Sequence, residues 1–187
     1  MVSIKEAIEN SKLLICQVNK NIPRTFGQTT IHESQIDMLV EQDAPLFELP
    51  VKEFSEQDIK IGKLIAENLI EDGSTLQMGI GSIPDSVLSQ CKGFKNLGIH
   101  SEMVSDGLVD LCEAGAVSNH LKEIERDRTL VCFALGTNKI YNYLDDNPAF
   151  IFKTAHFVND ETVICQNPKM VAINSCLEVN FYGPLLN

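Results

Sequence analysis

Apolar and polar positions change their spacing several times along the chain. Residues 3–10 suit one short helix, and the compact apolar run 12–18 predicts a strand. A second strand is expected at 36–41. Between them, Pro23-Arg24-Thr25-Phe26-Gly27 reads as a loop, and 45–50 reads as an extended linker, because proline disfavours helix on both of its sides. From 55 to 72 the period becomes helical. Ile61, Leu64, Ile65 and Leu69 fall on one stripe, Ser55 and Asp58 form a capping-box pair, and Gly73 stops the run.

Further on, short strands alternate with helices. Strands are expected at 75–78, 97–101 and 130–135. Helices are expected from a Ser82 cap to about Cys91, from Ser105-Asp106 through Glu113, and near 139–144. Late strands are expected at 150–157, 162–166, 170–173 and 177–181. This alternation predicts an α/β fold: an open, mostly parallel sheet with helices on both faces. No internal repeat or low-complexity segment is visible.

Composition narrows the function classes. Fifteen Lys and Arg against 26 Asp and Glu give a formal net charge of −11, which argues against nucleic acid as a partner. The same charge is awkward for an anionic ligand, which would need a local basic or amide-rich pocket. Six cysteines lack Cys-x-x-Cys spacing and mostly sit in apolar runs, so buried, reduced thiols are expected. No apolar run approaches the ~20 residues that span a bilayer. Lys5, Glu6 and Glu9 interrupt any secretory signal, so a cytoplasmic protein with no membrane partner is expected.

Three segments are candidates for chemistry. After the strand at 75–78 come Gly79-Ile80-Gly81 and a helix start. Glycines there admit a sharp turn and close ligand approach, and helix N-termini attract anions. Such a turn serves structure at least as often as binding. Pro84 occupies the third glycine position of a dinucleotide fingerprint, which excludes that motif. Glu102 follows the next strand, so it and the glycine turn are expected to face one crevice beyond the strand ends. By pattern alone, a glutamate there is more often a solvated or capping group. The third segment, 174–183, alternates Glu178 and Asn180 with Leu177, Val179 and Phe181, as a half-buried strand does. His100 lies near Glu102, and His32 adjoins Glu33, but neither has a second ligand at metal spacing, so no metal is assigned.

Taken together, these segments resemble the acetyl-CoA hydrolase/transferases, a group of family I coenzyme A transferases that includes acetate, butyrate and 4-hydroxybutyrate CoA-transferases. The resemblance rests on LQMGIGSIPDSVL (76–88), LGIHSEMVSDGLVDLCEAG (97–115) and MVAINSCLEVNFYG (170–183), supported by 23–27, Ile31-His32 and 145–148. It implies a CoA-transferase (NagB/RpiA-like) fold, with 1–50 as the end of an N-terminal half plus linker and 51–187 as a partial C-terminal catalytic half. It implies Glu102 as nucleophile and CoA contacts at Gly79, Ile80, Gly81, Ser82, Ile83, Asn159 and Gly183. Ile80 and Gly183 would donate amides to an oxyanion. The implied substrates are acyl-CoA and a small carboxylate, with coenzyme A as substrate and no permanent cofactor. A homo-oligomer or a complementing subunit is implied as partner. Family members are much longer, and Pro184 stands where they carry Gln or Asn. The chain is therefore expected to be an internal piece whose alternatives are an inactive remnant, an assembly module, or an acyl-CoA hydrolase.

Overall fold

The structure, a computed structural model, describes residues 3–50, 53–176, 178–179 and 185–186, with backbone alone for 179, 185 and 186. In chain order the elements are α1 (Ile4–Asn10), β1 (Ile15–Val18), β2 (Met38–Glu41), α2 (Glu56–Leu69), β3 (Thr75–Met78), α3 (Ser82–Gln90), β4 (Gly98–Val104), α4 (Asp106–Glu113), β5 (Thr129–Ala134), α5 (Asn138–Leu144), β6 (Phe150–Phe152), α6 (Ala155–Val158), α7 (Glu161–Ile164), β7 (Met170–Ile173), β8 (Glu178–Val179) and β9 (Leu185–Leu186).

Five strands form one parallel sheet in the order β6-β5-β4-β3-β7. Successive strands step away from β3 to β6, and the chain then returns to place β7 on the other side of β3. The order reverses between β3 and β7, and ligands of open α/β sheets bind at such a reversal. Both sheet faces are covered. Leu76, Ile99, Val131 and Phe150 pack with Val87, Leu88, Leu108 and Ile140 of α3, α4 and α5. Leu130, Cys132 and Ile151 pack with Val158 of α6 on the opposite face, as alternation along β5 requires. The expected open parallel α/β sheet with helices on both faces is the fold observed.

Several elements differ from the expectation. The run 162–166 is helical at Glu161–Ile164: the Asp160 carboxylate accepts from the Thr162 N–H and caps α7. Likewise 150–157 is a strand only over its first three residues, after which Thr154 opens α6. β4 runs three residues past Ser101, because its ladder with β5 continues through Met103↔Phe133 and Val104↔Ala134. Ser82 is not the cap of α3. Gly81 is, and the Ser82 hydroxyl instead donates to Asp58 Oδ1 at 2.9 Å.

Helix α2 carries the expected capping box, but its apolar stripe is mostly not core. Leu64 and Leu69 are 61% and 60% exposed. The buried face is Gly62 and Ala66, which press against α3. A Cβ on Gly62 would lie 2.5 Å from Ser86 Oγ and 2.9 Å from the Ser86 carbonyl carbon. Helix–helix proximity therefore selected the small residues, and the larger apolar ones were left outside.

Strands β1 and β2 form a separate parallel pair with mostly exposed side chains. Residues 23–28 tie this part to the free edge of β6: Phe152 N–H donates to Phe26 O and Gln28 N–H donates to Phe152 O, both at 2.8 Å. Gly27 is needed there, because its φ is +112° and a Cβ would collide with Phe152 backbone atoms. Of the cysteines, Cys91 and Cys132 are buried, while Cys165 and Cys176 are exposed. The expectation of generally buried thiols is corrected accordingly: Cys165 caps the short surface helix α7, outside the sheet core.

Candidate active site

The glycine turn stands at the reversal of strand order. Gly79 N–H donates to Ile173 O at 2.7 Å, which closes the turn against the end of β7. A Cβ on Gly79 would lie 2.6 Å from Asn174 Oδ1 and 3.2 Å from Ile173 O. Beside it, Gln77 and Asn174 exchange two amide hydrogen bonds of 3.1 and 2.9 Å across β3 and β7. Gly81 has φ +124°, a conformation open to glycine. The N–H groups of Ile80 and Gly81 have no hydrogen-bond partner among the described residues. The Ile80 side chain is 55% exposed. The turn thus presents two amides at the positive end of α3, where negative charge is stabilised.

Glu102 lies within β4. Pairing of Leu76 with Ile99 makes Gly79 level with Glu102 on the neighbouring strand, three residues further along each. The ladder between β3 and β4 does not continue that far as a backbone pairing. Met78 N–H donates to the Ser101 hydroxyl at 3.0 Å, so the two strands separate just before the glycine turn. Glu102 shares the α6 face with His100, two residues before it. There Asn159 Nδ2 donates to Glu102 Oε2 at 3.1 Å. One oxygen is held, and the other, Oε1, is unpartnered among the described residues.

On the α3–α4 side of the sheet lies a cavity of about 500 Å³, within the range of small-molecule sites. Its wall includes Phe54, Ile80, Met103 and Leu135. Glu102 does not line it. Three carboxylates on the wall are engaged by the protein itself. Asp85 accepts from the Ser105 hydroxyl at 2.7 Å, Asp106 caps α5 through the amides of Thr137 and Ile140, and Asp110 pairs with Lys139 and Lys92. Burial raises the Asp85 carboxyl above its usual range, the Ser105 bond opposes this, and Asp106 adds to it. Lys139 holds Asp110 below the usual range. Among the described residues no group of three or more His, Cys, Asp or Glu side chains is arranged to hold a metal, and no helix is long and apolar enough to cross a membrane.

The sequence model of the acetyl-CoA hydrolase/transferase C-terminal domain matches residues 136–186. The 4-hydroxybutyrate coenzyme A transferase of Clostridium kluyveri is 46% identical over 179 residues, which cover 96% of this chain and 42% of that protein. This chain belongs to the acetyl-CoA hydrolase/transferase family. The succinyl-CoA:acetate/propanoyl-CoA:succinate CoA transferase of Fasciola hepatica is 44% identical over 96% of this chain and 37% of its own length. RipA from Yersinia pestis superposes with a TM-score of 0.94 at 36% identity, over 99% of this chain and 43% of that one. A 4-hydroxybutyrate CoA-transferase from Porphyromonas gingivalis gives 0.89 at 35% identity, over 95% and 45%. The chain thus spans about two-fifths of the length of these family members.

Within the family fold, Gly79, Ile80, Gly81, Ser82 and Ile83 form one turn and helix start, of which Ile80, Gly81 and Ser82 line the cavity on the α3–α4 side, whereas Glu102 lies on the α6 face of the next strand. Asn159 joins Glu102 directly. Gly183 lies outside the described residues, as do Leu177, Asn180 and Phe181 of the expected late strand; the described part of that strand, β8, pairs with β9 in an antiparallel ribbon. Three features escaped the sequence reading. His100 is buried and bridges β4 to the end of α6. Lys122 is wholly buried, and its Nζ donates to Ile99 O at 2.7 Å and Arg128 O at 2.5 Å. Gln77 pairs with Asn174. None carries a local sequence signal, since each depends on a partner distant in the chain.

Proposed function

We propose that this chain carries the nucleophile of a CoA-transferase that moves CoA between an acyl-CoA and a small carboxylate of the acetate, butyrate or 4-hydroxybutyrate class. The observation that carries this reading is the Glu102 carboxylate: Asn159 holds one oxygen, the other is unpartnered, and the amide-bearing glycine turn is level with it on the next strand. In the proposed mechanism, Glu102 Oε1 attacks the thioester carbonyl carbon. The resulting oxyanion collapses, the carbon–sulfur bond breaks, and CoA leaves as thiolate with an acyl-glutamyl anhydride behind it. The thiolate then attacks the glutamyl carbonyl and releases the first carboxylate, which leaves CoA as a thioester on Glu102. The acceptor carboxylate repeats these steps in reverse. Covalent catalysis splits one difficult exchange into easier steps, and the Ile80 amide supplies an oxyanion donor whose geometry costs no reorganisation. Asn159 orients Glu102 and, with Ser82 and Ile83, contacts CoA. Gly183 supplies the second oxyanion donor. The rest of the family's length, as a complementing subunit or further chain, completes the pocket.

The test is incubation with acetyl-CoA followed by borohydride, with the chain alone and with a polypeptide supplying the rest of the family's length. Reduction should convert the Glu102 carboxyl to an alcohol, identified in the peptide that contains it. Glu102→Ala should abolish both the adduct and CoA exchange. Exchange that persists in Glu102→Ala sinks the proposal, and acetate release without exchange reassigns the chain as an acyl-CoA hydrolase.

A further inference from the structure

We propose that His100 is a positioning residue for Glu102, acting through the end of α6. The inference rests on the reading of Glu102 as nucleophile, because positioning matters only if that carboxylate reacts.

His100 is 1% exposed and two residues from Glu102 on the same face of β4. Its ring is oriented by Asn167. The Ile124 N–H donates to Asn167 Oδ1 at 3.3 Å, so the amide's NH₂ faces the ring and donates to His100 Nδ1 at 2.9 Å. Nδ1 therefore accepts, and the proton of the neutral ring sits on Nε2. Nε2–H donates to Val158 O at 2.7 Å. An imidazolium would set a second N–H against the Asn167 NH₂, and burial already holds His100 below its usual range, with the Val158 bond opposing and Lys122 reinforcing this.

Val158 is the last residue of α6, a helix of four residues. One helical turn has too few internal bonds to be stable alone, and its final carbonyls lack helical partners. His100 supplies that partner. The next residue is Asn159, whose side chain holds Glu102 Oε2. Strand and helix end are thus joined by two tethers, His100 to Val158 and Asn159 to Glu102, between residues two apart on β4 and adjacent on the other side. Loss of the first tether leaves α6 free to shift and carries Asn159 away from the carboxylate. Misplacement of about 1 Å can reduce a rate on the order of 100-fold.

Two substitutions separate positioning from general support. In His100→Gln the side-chain amide reaches where Nε2 stands and still donates to Val158 O. In His100→Asn the side-chain oxygen still accepts from Asn167, but the donor is gone. The first measurement is the Asn159 side-chain amide resonance in the full chain, calibrated by its displacement in Glu102→Gln. His100→Gln should leave it in place, and His100→Asn should displace it comparably. The second is the rate of borohydride-trappable Glu102 adduct at saturating acetyl-CoA. It should fall about 10- to 100-fold in His100→Asn with unchanged half-saturation, and stay near wild type in His100→Gln. Asn159→Ala should lose as much, and the double variant should lose no more than either single one. An undisturbed Asn159 resonance in a folded His100→Asn chain, or additive losses in the double variant, overturns the inference. Absence of any adduct in wild type supplied with the rest of the family's length is a failure of the nucleophile reading instead, and the resonance still decides whether His100 positions Asn159.

Discussion

At the residue scale, the site is built from groups whose partners are fixed by burial. Lys122 is the clearest case outside the reacting centre. Burial lowers its ammonium from 10.5 to about 7, with Glu125 opposing. Between those values the unfolded chain holds a proton that the folded chain has released. Stability therefore rises with pH from about 7 toward 10.5, by at most about 1.4 kcal/mol per pH unit. Burial raises Cys91 and Cys112 to about 11, which has the opposite sign above 9, so the clean window is pH 7–9. Urea unfolding of wild type against Lys122→Met across that window should show a rising difference in favour of wild type. A flat difference means Lys122 remains charged in the fold. The motif around Glu102 was legible in the sequence, but the state of Lys122 was not: nothing local marks a lysine whose Nζ ends on two backbone carbonyls.

At the scale of elements, α2 shows how periodicity can be right about the helix and wrong about its face. The capping box of Ser55 and Asp58 was legible because it involves neighbours in the chain, whereas the helix ends at Leu69 with Ile70 extended, short of the expected stop at Gly73. The buried face was not, because the closest approach to α3 occurs at Gly62 and Ala66. Leu64→Glu should change the melting stability of the chain by no more than about 0.5 kcal/mol, as exposed sites do. Gly62→Ala should destabilise by about 1–3 kcal/mol through overpacking against Ser86, less the roughly 1 kcal/mol that alanine gains over glycine in a helix. The reverse order of effects would mean that the apolar stripe is the packed face. α7 teaches the same lesson: its β-branched Thr162, Val163 and Ile164 suit a strand, and the Asp160 cap turned them into a helix.

At the scale of the whole molecule, the five-stranded sheet is covered on both faces, while β1 and β2 stand as an exposed pair. A two-stranded unit is marginal in water, and it is tied to the body through flanking segments, residues 23–28 on the edge of β6 and Phe47, Glu48 and Leu49 against Gly136, Asn138 and Tyr141. Hydrogen exchange should show the amides of β1 and β2 far less protected than those of β4 and β5. Equal protection would show that the pair is as stable as the main sheet. Addition of a polypeptide supplying the rest of the family's length should raise protection in β1 and β2 first, if that is where it packs.

The sequence by itself determined the alternation of strands and helices, the Ser55–Asp58 capping box, the turn glycines and the family, because these depend on residues close together in the chain or on ordered motifs. Tertiary structure decided what those motifs face. Asn159 reaches Glu102 from 57 residues away, and His100 finds its acceptor 58 residues on. Such pairings are set by which strands lie side by side and which helix end crosses above them, and the spacing of residues along one strand holds no record of that.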